Sequence, residues 1–120
     1  MIVSQSNFIL RIFIGSTDKY NDQLLYEYIV FKAKEMGVAG ATVLKGILSF
    51  GASSIIHSYR FWEVSEKVPV VIEIVDEEEK INLFYGAIKS ELETMRYGCL
   101  VTIDKVNVLL KKSGDKHFDV

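Results

Sequence analysis

The stretch VPVVIEIVDEEEKINLFYGAIKSEL, residues 68–92, decides the fold, because it joins the clearest strand of the chain to the clearest helix. Val68–Val75 is rich in β-branched residues, and Pro69 suits the start of a strand. Asp76 at the junction and Glu79 three residues later resemble an N-terminal capping box. Apolar residues then recur at helical spacing: Ile81, Phe84, Tyr85, Ile88, Leu92 and Met95. The stretch therefore predicts a buried strand followed directly by an amphipathic helix.

The same pair of elements occurs once upstream. Phe8–Ile14 is typical of a strand buried on both faces, and Asp22–Met36 predicts a helix capped by Asn21 or Asp22, with Gly37 just past its end. Its core stripe is flanked by more apolar residues than one sheet can cover. That surplus either faces a neighbouring subunit or is a set of surface aromatics. The stripe comprises Leu25, Ile29, Ala33 and Met36, and its flanks comprise Leu24, Tyr26, Tyr28, Val30 and Phe31.

Two further strands complete the pattern. Ala41–Phe50 contains Gly46, where a bulge or a close backbone approach is the usual reason for glycine. Cys99–Leu110 changes phase at Asp104–Lys105, which predicts a β-bulge, and residues 111–120 form a polar tail. The order β-α-β-loop-β-α-β over a core of about 8–110 predicts one α+β domain, residues 1–120, of the ferredoxin-like split βαβ class. Such a domain has one antiparallel sheet with two helices on one face.

Composition excludes several classes of protein. The 14 Lys and Arg against 16 Asp and Glu leave a net charge of −2, which argues against nucleic-acid binding. No apolar run approaches the roughly 20 residues that a membrane helix needs, and no basic region precedes the first apolar stretch. We therefore expect a cytoplasmic protein without membrane insertion. A mean hydropathy of +0.20 predicts that some apolar surface is buried against other copies of the chain.

Catalytic and metal-binding chemistry has little support in the sequence. The imidazole and thiol groups (His57, Cys99 and His117) are never two to four residues apart, so no zinc site is predicted. Ser54 lies close to His57, which suggests a small hydrolase, but no G-x-S-x-G nucleophile elbow is present. Serine-rich loops are also ordinary turn chemistry. We therefore predict that the protein is not an enzyme.

Several segments together resemble one family, the PII-like proteins of domain-of-unknown-function family 190. The resemblance covers about residues 8–110. The segments are Leu10-Arg-Ile-Phe-Ile-Gly15, Asp18-Lys-Tyr20, Leu25-Tyr-Glu-Tyr-Ile-Val30, Gly37-Val-Ala-Gly-Ala-Thr-Val-Leu-Lys-Gly46, Phe50-Gly-Ala-Ser-Ser54, His57 and Val68-Pro-Val-Val-Ile-Glu-Ile-Val-Asp76.

The resemblance implies similarity to PII signalling proteins. Those are ferredoxin-like trimers that bind adenine nucleotides in clefts between subunits, and a long loop between their second and third strands regulates a target. Here that loop is about Gly51–Lys67. The residues implied as partner contacts are Ser53, Ser54, His57, Phe61 and Trp62, although Phe61 and Trp62 would also suit an edge strand packed on the core. The residues implied as ligand contacts are Lys45, Gly46, Gly51, Arg60, Arg96 and Lys112.

Two segments depart from the PII pattern. The connection Met95–Gly98 is shorter than the PII phosphate loop, and Leu110–Gly114 is a weakened version of the basic PII segment after the last strand. The expected ligand is an adenine nucleotide or another small anion, and no cofactor is required. The family's association with transport systems implies a membrane transporter or channel as partner. The prediction is therefore a trimeric PII-like regulator; the alternatives are a ligand-free oligomeric interaction module and a small hydrolase using Ser54 and His57.

Overall fold

The computed structural model describes residues 6–49, 57–58 and 67–115. It contains two helices and eight strands, several of them short. In chain order these are β1 (Asn7–Gly15), β2 (Lys19–Tyr20), β3 (Gln23–Leu24), α1 (Leu25–Glu35), β4 (Thr42–Lys45), β5 (Leu48–Ser49), β6 (His57–Ser58), β7 (Pro69–Glu77), α2 (Glu78–Thr94) and β8 (Leu100–Val106).

The main sheet has four strands in the order β4-β7-β1-β8, and every neighbouring pair is antiparallel. The central strands β1 and β7 pair from Asn7↔Glu77 to Gly15↔Pro69. Each half of the chain thus contributes a βαβ unit whose strands are separated by a strand of the other half. This is the ferredoxin-like arrangement that the sequence predicts, and both predicted helices are present.

Both helices lie on one face of the sheet, where the core forms. Ile12 and Ile72 pair across the central strands and are fully buried, as is Phe84 of α2. From α1, Leu25, Ile29 and Ala33 enter the same core. The predicted core stripe is confirmed except for Met36, which is the C-cap of α1 and is exposed.

The opposite face of the sheet is also apolar, but no described helix lies on it. Cross-strand pairing places Leu100, Phe13, Val71 and Leu44 in one row. Phe13, Leu44 and Leu100 are 36%, 46% and 56% exposed. A polar row follows, in which Arg11 Nε lies 2.9 Å from Glu73 Oε2 and Arg11 Nη1 lies 3.6 Å from Asp104 Oδ2. We call this surface the open face.

The start of α1 differs from the prediction. Asn21 and Asp22 have φ of 49° and 65°, so they form the turn of the β2–β3 hairpin and do not cap a helix. Positive φ at both central residues matches a type I′ turn, which Asn and Asp tolerate. The helix begins only at Leu25, with no side-chain cap. Its end is as predicted, because Gly37 adopts φ of 78° just beyond the C-cap.

The start of α2 differs as well. Asp76 does not cap the helix: its Oδ2 accepts a hydrogen bond from the Ala39 N–H at 2.9 Å, and its Oδ1 accepts one from the Glu77 N–H at 2.7 Å. The N-cap position is Glu77, without a side-chain cap. Asp76 therefore ties the loop after α1 to the end of β7, and the capping-box prediction is wrong.

Two strands are shorter than predicted. The second strand ends at Lys45 and resumes beyond Gly46 as β5, which pairs with β6 inside the predicted loop. The last strand pairs with β1 without interruption from Phe13↔Leu100 to Asn7↔Val106, so the predicted bulge at Asp104–Lys105 is wrong. The change of phase arises because the strand ends at Val106, and residues 107–115 are neither helix nor strand.

Candidate functional site

A buried carboxylate organises the turn after β1. Asp18 is completely buried; its Oδ2 accepts a hydrogen bond from the Gly15 N–H at 2.8 Å, and its carbonyl oxygen accepts one from the Leu25 N–H at 2.7 Å. Its backbone N–H donates to the Gly15 carbonyl oxygen at 3.2 Å. A buried charge needs such partners, because desolvation without them is costly. The residue therefore links the end of β1 to the start of α1.

Lys67 completes this arrangement from the far end of segment 51–67. Its Nζ lies 2.7 Å from Asp18 Oδ1, and its aliphatic stem passes over Gly15, where a Cβ would collide with it. The next residue is fixed by two hydrogen bonds: Ser16 N–H to the Val68 carbonyl oxygen at 2.7 Å, and Val68 N–H to Ser16 Oγ at 3.0 Å. Lys67 and Val68, which precede β7, are therefore held against the turn after β1.

Gly46, which follows β4, lies at the same corner. The Gly46 N–H donates to the Pro69 carbonyl oxygen at 2.8 Å, and a Cβ on Gly46 would lie 2.7 Å from Pro69 Cγ. Of the two reasons expected for glycine here, a bulge or a close backbone approach, the structure shows the close approach. Because Pro69 also pairs with Gly15, Gly46 and Lys67 both lie near the first residue of β7, and we call these two residues the roots. We call this region the corner: Gly15, Asp18, Gly46, Lys67 and Pro69.

A separate open cleft of about 540 Å³ lies between the β2–β3 hairpin and the end of α2. Its lining residues are Lys19, Tyr20, Asn21, Ser90, Glu91, Thr94, Met95, Arg96 and Tyr97. We call it the hairpin cleft. The Arg96 guanidinium lies 5.0 Å from the centre of the Tyr97 ring, and its Nη2 donates to the Tyr97 hydroxyl at 3.4 Å. Lys67 Nζ also lies 5.0 Å from the centre of that ring, so Tyr97 connects the cleft to the corner.

Hydrogen bonds and burial shift the pKa of three groups around the cleft. The bond from Arg96, helped by the backbone N–H of Lys19, lowers the pKa of Tyr97. The same bond raises the pKa of Arg96. Burial, reinforced by the bond from its hydroxyl to Glu91 Oε2 at 2.9 Å, raises the pKa of Tyr28 to about 12. Tyr97 thus carries the more acidic phenol, at the cationic end of the cleft.

The structure brings together only some of the predicted site residues. Lys45 and Gly46 are adjacent at the corner, and Arg96 lies in the hairpin cleft. Lys112 lies in the exposed C-terminal segment, next to Lys111 at the opposite end of the sheet. His57 begins β6. The remaining predicted residues, Gly51, Ser53, Ser54, Arg60, Phe61 and Trp62, lie outside the described residues.

Sequence reasoning did not single out four residues that the structure places at the corner or in the hairpin cleft: Asp18, Lys19, Lys67 and Tyr97. Asp18 and Lys19 belong to a Gly-Ser-Thr-Asp-Lys stretch that is typical of turn chemistry, and Lys67 precedes the β7 strand. An acidic side chain three residues after a buried strand, and a lysine two residues before the strand that pairs with it, are signals for an ion pair once the pairing of those strands is known. Tyr97 gave no comparable signal.

The described part of the chain holds no group of three His, Cys, Asp or Glu side chains that could bind a metal ion. Within that part, neither helix is long and apolar enough to cross a membrane. Cys99 is a free thiol whose pKa is raised by burial.

Comparison with known proteins identifies the family. The model of DUF190, a family described as an uncharacterised ACR, matches residues 7–108. The chain belongs to the DUF190 family. A UPF0166 protein from Aquifex aeolicus is 35% identical over 101 residues, which are 84% of this chain and 91% of that protein. A UPF0166 protein from Methanocaldococcus jannaschii is 39% identical over 74 residues, 62% of this chain and 68% of that protein.

Solved structures place this DUF190 protein in the PII-like fold. A candidate PII-like signalling protein from Thermus thermophilus superposes with a TM-score of 0.61 at 16% identity, covering 85% of this chain and 88% of that chain. CPII, a nitrogen regulatory PII-like protein from Thiomonas intermedia K12 bound to ADP, AMP and bicarbonate, gives a TM-score of 0.57 at 15% identity, covering 84% and 88%. The resemblance drawn from the sequence is therefore confirmed.

Proposed function

We propose that this DUF190 protein is a non-enzymatic, cytoplasmic PII-like regulator. In this proposal it is a homotrimer that binds a small anion or nucleotide in clefts between subunits. Segment 51–67 reports the bound state to a partner, and a membrane transporter or channel is the kind of partner we expect. The observation that carries the proposal is the corner, where the roots Gly46 and Lys67 both lie near Pro69, with Lys45 next to Gly46.

A ligand bound at the corner directly contacts residues that adjoin segment 51–67. A ligand held by Lys45 and the backbone at Gly46 contacts the first root, which is bonded to Pro69. The second root is only two residues from Pro69, at Lys67. A ligand shifts a conformational equilibrium only when it binds the two states with different affinity. The direction in which segment 51–67 leaves the sheet changes the ligand's surroundings. A ligand that contacts the root therefore has a different affinity for each state of the segment.

A site between subunits follows from the positions of the proposed ligand contacts. Lys45 pairs with Val70, at one end of the sheet, whereas the C-terminal segment that carries Lys112 leaves β8 opposite Asn7, at the other end. At about 3.3 Å per residue, these ends are roughly 20 Å apart along the strands. We propose that a neighbouring copy unites the two lysines by bringing its Lys112 to Lys45. Gly51 and Arg60 complete the proposed set.

The open face supports the assembly. Antiparallel sheets with one solvated face normally place polar residues on it. Here Phe13, Leu44 and Leu100 form an apolar row that is partly exposed in the single chain. Burial of this row between copies stabilises the assembly by about 25 cal/mol for each Å² of apolar surface removed from water. The number of copies, three, rests on the likeness to PII proteins.

The proposed ligand class draws support from CPII, which was solved with ADP, AMP and bicarbonate. The connection between α2 and β8 in this chain spans only residues 95–99, which favours a small anion or a monophosphate over a triphosphate. The test is a thermal-shift panel of AMP, ADP, ATP, cyclic nucleotides, 2-oxoglutarate, bicarbonate and fluoride, each with and without Mg²⁺. At a hundredfold excess over Kd, binding to the folded state adds about 2.7 kcal/mol, or roughly 10 °C.

Variants make the test specific. Lys45→Gln and Lys112→Gln should each raise about tenfold the ligand concentration that gives a half-maximal thermal shift. Each substitution removes one charge-assisted contact with the ligand. The matched control is Lys34→Gln, which removes an equal charge from the exposed end of α1. A panel without any saturable shift would contradict the sensor and favour the ligand-free interaction module.

A further inference from the structure

Lys67 lies where three connections of the chain meet. Its Nζ is 2.7 Å from Asp18 Oδ1 in the turn after β1, and 5.0 Å from the centre of the Tyr97 ring in the connection after α2. Lys67 itself precedes β7 by two residues. Its side chain is partly exposed, whereas that of Asp18 is completely buried. One flexible side chain therefore joins three segments that are distant in the sequence.

The buried carboxylate makes this contact costly to open. Asp18 Oδ2 accepts the hydrogen bond from the Gly15 N–H, but Oδ1 accepts none of good geometry from the described residues. The positive charge of Lys67 compensates Oδ1 instead. Removing one partner of a buried ion pair is strongly destabilising, because the other charge stays desolvated. When Lys67 leaves, the turn that contains Asp18 must therefore open as well, so that water reaches the carboxylate.

Gly15 provides the space that the ion pair needs. A Cβ at this position would collide with Cε of Lys67, near the flexible end of that side chain. An alanine would therefore push the lysine away from the carboxylate without changing either charge. The backbone conformation does not require glycine here, because φ of Gly15 is not positive. The absence of a side chain at residue 15 thus serves to admit Lys67.

We infer that Gly15, Asp18 and Lys67 form a latch that couples the two roots. Lys67 is one root, and the other, Gly46, donates its N–H to the Pro69 carbonyl oxygen at 2.8 Å. Pro69 pairs in turn with Gly15. Release of Lys67 opens the turn after β1, and the first residue of β7 then loses its support on both sides. The latch is therefore a two-state element through which a change at one root reaches the other.

This inference rests on the proposed function in one respect, because it takes the roots as the points through which segment 51–67 acts. The test is hydrogen exchange of the full ¹⁵N-labelled chain, followed by NMR at single amides. Four amides report on the latch, because their N–H groups bond to Asp18 or join the turn to the residue before β7. They are Gly15, Ser16, Leu25 and Val68.

Gly15→Ala is the steric variant. It should accelerate exchange of the four latch amides and of the Gly46 amide at least about tenfold, since exchange reports local opening. Gly40→Ala is the matched control, because it adds the same methyl group where nothing lies within 4 Å. It should change these rates less than about twofold. The Ala39 amide, which bonds to Asp76 at the far end of the sheet, should keep its rate in both variants.

Charge variants test the ion pair itself. Lys67→Met keeps most of the stem but leaves the carboxylate of Asp18 buried without its cation, and should accelerate the latch amides about a hundredfold. The double variant, Asp18→Asn with Lys67→Met, removes both charges and should restore most of the lost protection. Lys34→Met, at the exposed end of α1, is the control for the loss of one positive charge. It should leave the latch amides unchanged.

Three outcomes overturn the inference. An unchanged Gly46 amide beside faster latch amides would show that the ion pair only braces the turn after β1. A double variant that exchanges as fast as Lys67→Met would show that the two charges are not coupled. Equal acceleration of the Ala39 amide would show that the roots open only when the whole fold opens.

The latch and the proposed function fail in different experiments. The exchange measurements need no ligand, so a flat thermal-shift panel would contradict the sensor and leave the latch intact. An unchanged Gly46 amide would remove the latch and leave ligand binding at the corner untouched.

Discussion

The two faces of the main sheet have similar composition but different surroundings. On the helix-covered face, Ile12, Ile72 and Phe84 are fully buried. On the open face, Phe13, Leu44 and Leu100 stand in an equally apolar row, yet each retains a third or more of its exposure. The alternation of a strand places successive residues on opposite faces, so the same β1 and β7 strands serve both surfaces.

This difference separates two sources of stability. Side chains on the covered face stabilise the single chain, because the helices of the same chain remove them from water. Side chains on the open face contribute little to stability until another copy of the chain covers them. Substitutions on the two faces should therefore differ in their dependence on protein concentration, which gives four experiments in order of decreasing effect.

The largest effect is expected for Ile72→Ala on the covered face. It leaves a cavity among well-packed neighbours and should cost about 2–5 kcal/mol of unfolding free energy, measured by urea denaturation. The cost should be the same at every protein concentration. Leu44→Ala on the open face should cost less in dilute solution and more as concentration rises, because oligomerisation couples to stability. Equal, concentration-independent costs would contradict the contrast between the faces.

The next effect is on assembly. Leu44→Glu places a carboxylate on the open face, where burial between copies would leave it without a partner at a cost of several kcal/mol. Light scattering should give about three times 13.6 kDa for the unmodified protein and 13.6 kDa for the variant. Leu83→Glu is the control, since Leu83 is exposed on α2, away from the sheet. A single-chain mass for the unmodified protein would rule out the trimer.

A smaller effect is expected between the helices of the covered face. Tyr28→Phe removes the hydrogen bond from α1 to Glu91 of α2 and should cost about 1 kcal/mol. Because folding raises the pKa of Tyr28 from 10.0 to about 12, its contribution is complete below pH 10 and is lost as the pH rises through about 12. Urea denaturation from pH 8 to pH 12 should show a smaller decline for the variant. An identical decline would show that Tyr28 titrates normally.

The smallest effect concerns the polar row of the open face. Arg11→Met removes the ion pairs with Glu73 and Asp104, which are partly exposed in the single chain, and should cost less than about 1 kcal/mol. The cost should fall with added salt in dilute solution. Lys32→Met, which removes a helical ion pair with Glu35, is the matched control. A cost of several kcal/mol in dilute solution would mean that the open face is already covered in the single chain.

The order of strands and helices was predictable because long periodic runs of apolar residues mark most of these elements. The pattern in α2 and the β-branched run in β7 each dictate one local structure, and the family resemblance agreed with both. Helix starts were not predictable from capping residues alone. Three residues are good caps by residue type: Asn21, Asp22 and Asp76. The first two instead form a hairpin turn, and the carboxylate of the third accepts a hydrogen bond from the Ala39 N–H.

The candidate site was predictable only in part. Gly46 was correctly identified as a point of close backbone approach, because glycine inside a strand has few other reasons. The ion pair between Asp18 and Lys67 joins residues that meet only once β1 and β7 are paired. No local pattern contains that information. The grouping of Lys19, Arg96 and Tyr97 depends in the same way on the hairpin and the end of α2 lying together.

The position of β1 has a consequence for the order of events during synthesis. This strand leaves the ribosome well before both of its partners, β7 and β8, which come from the second half of the described chain. The ion pair between Arg11 and Glu73 already spans 62 residues. Until those partners arrive, the apolar Phe8–Ile14 stretch has no strand to pair with, and closing such long loops slows folding. The nascent chain therefore completes its central sheet only after β7 and β8 have been synthesised, and β1 is the segment that a chaperone would need to shield until then.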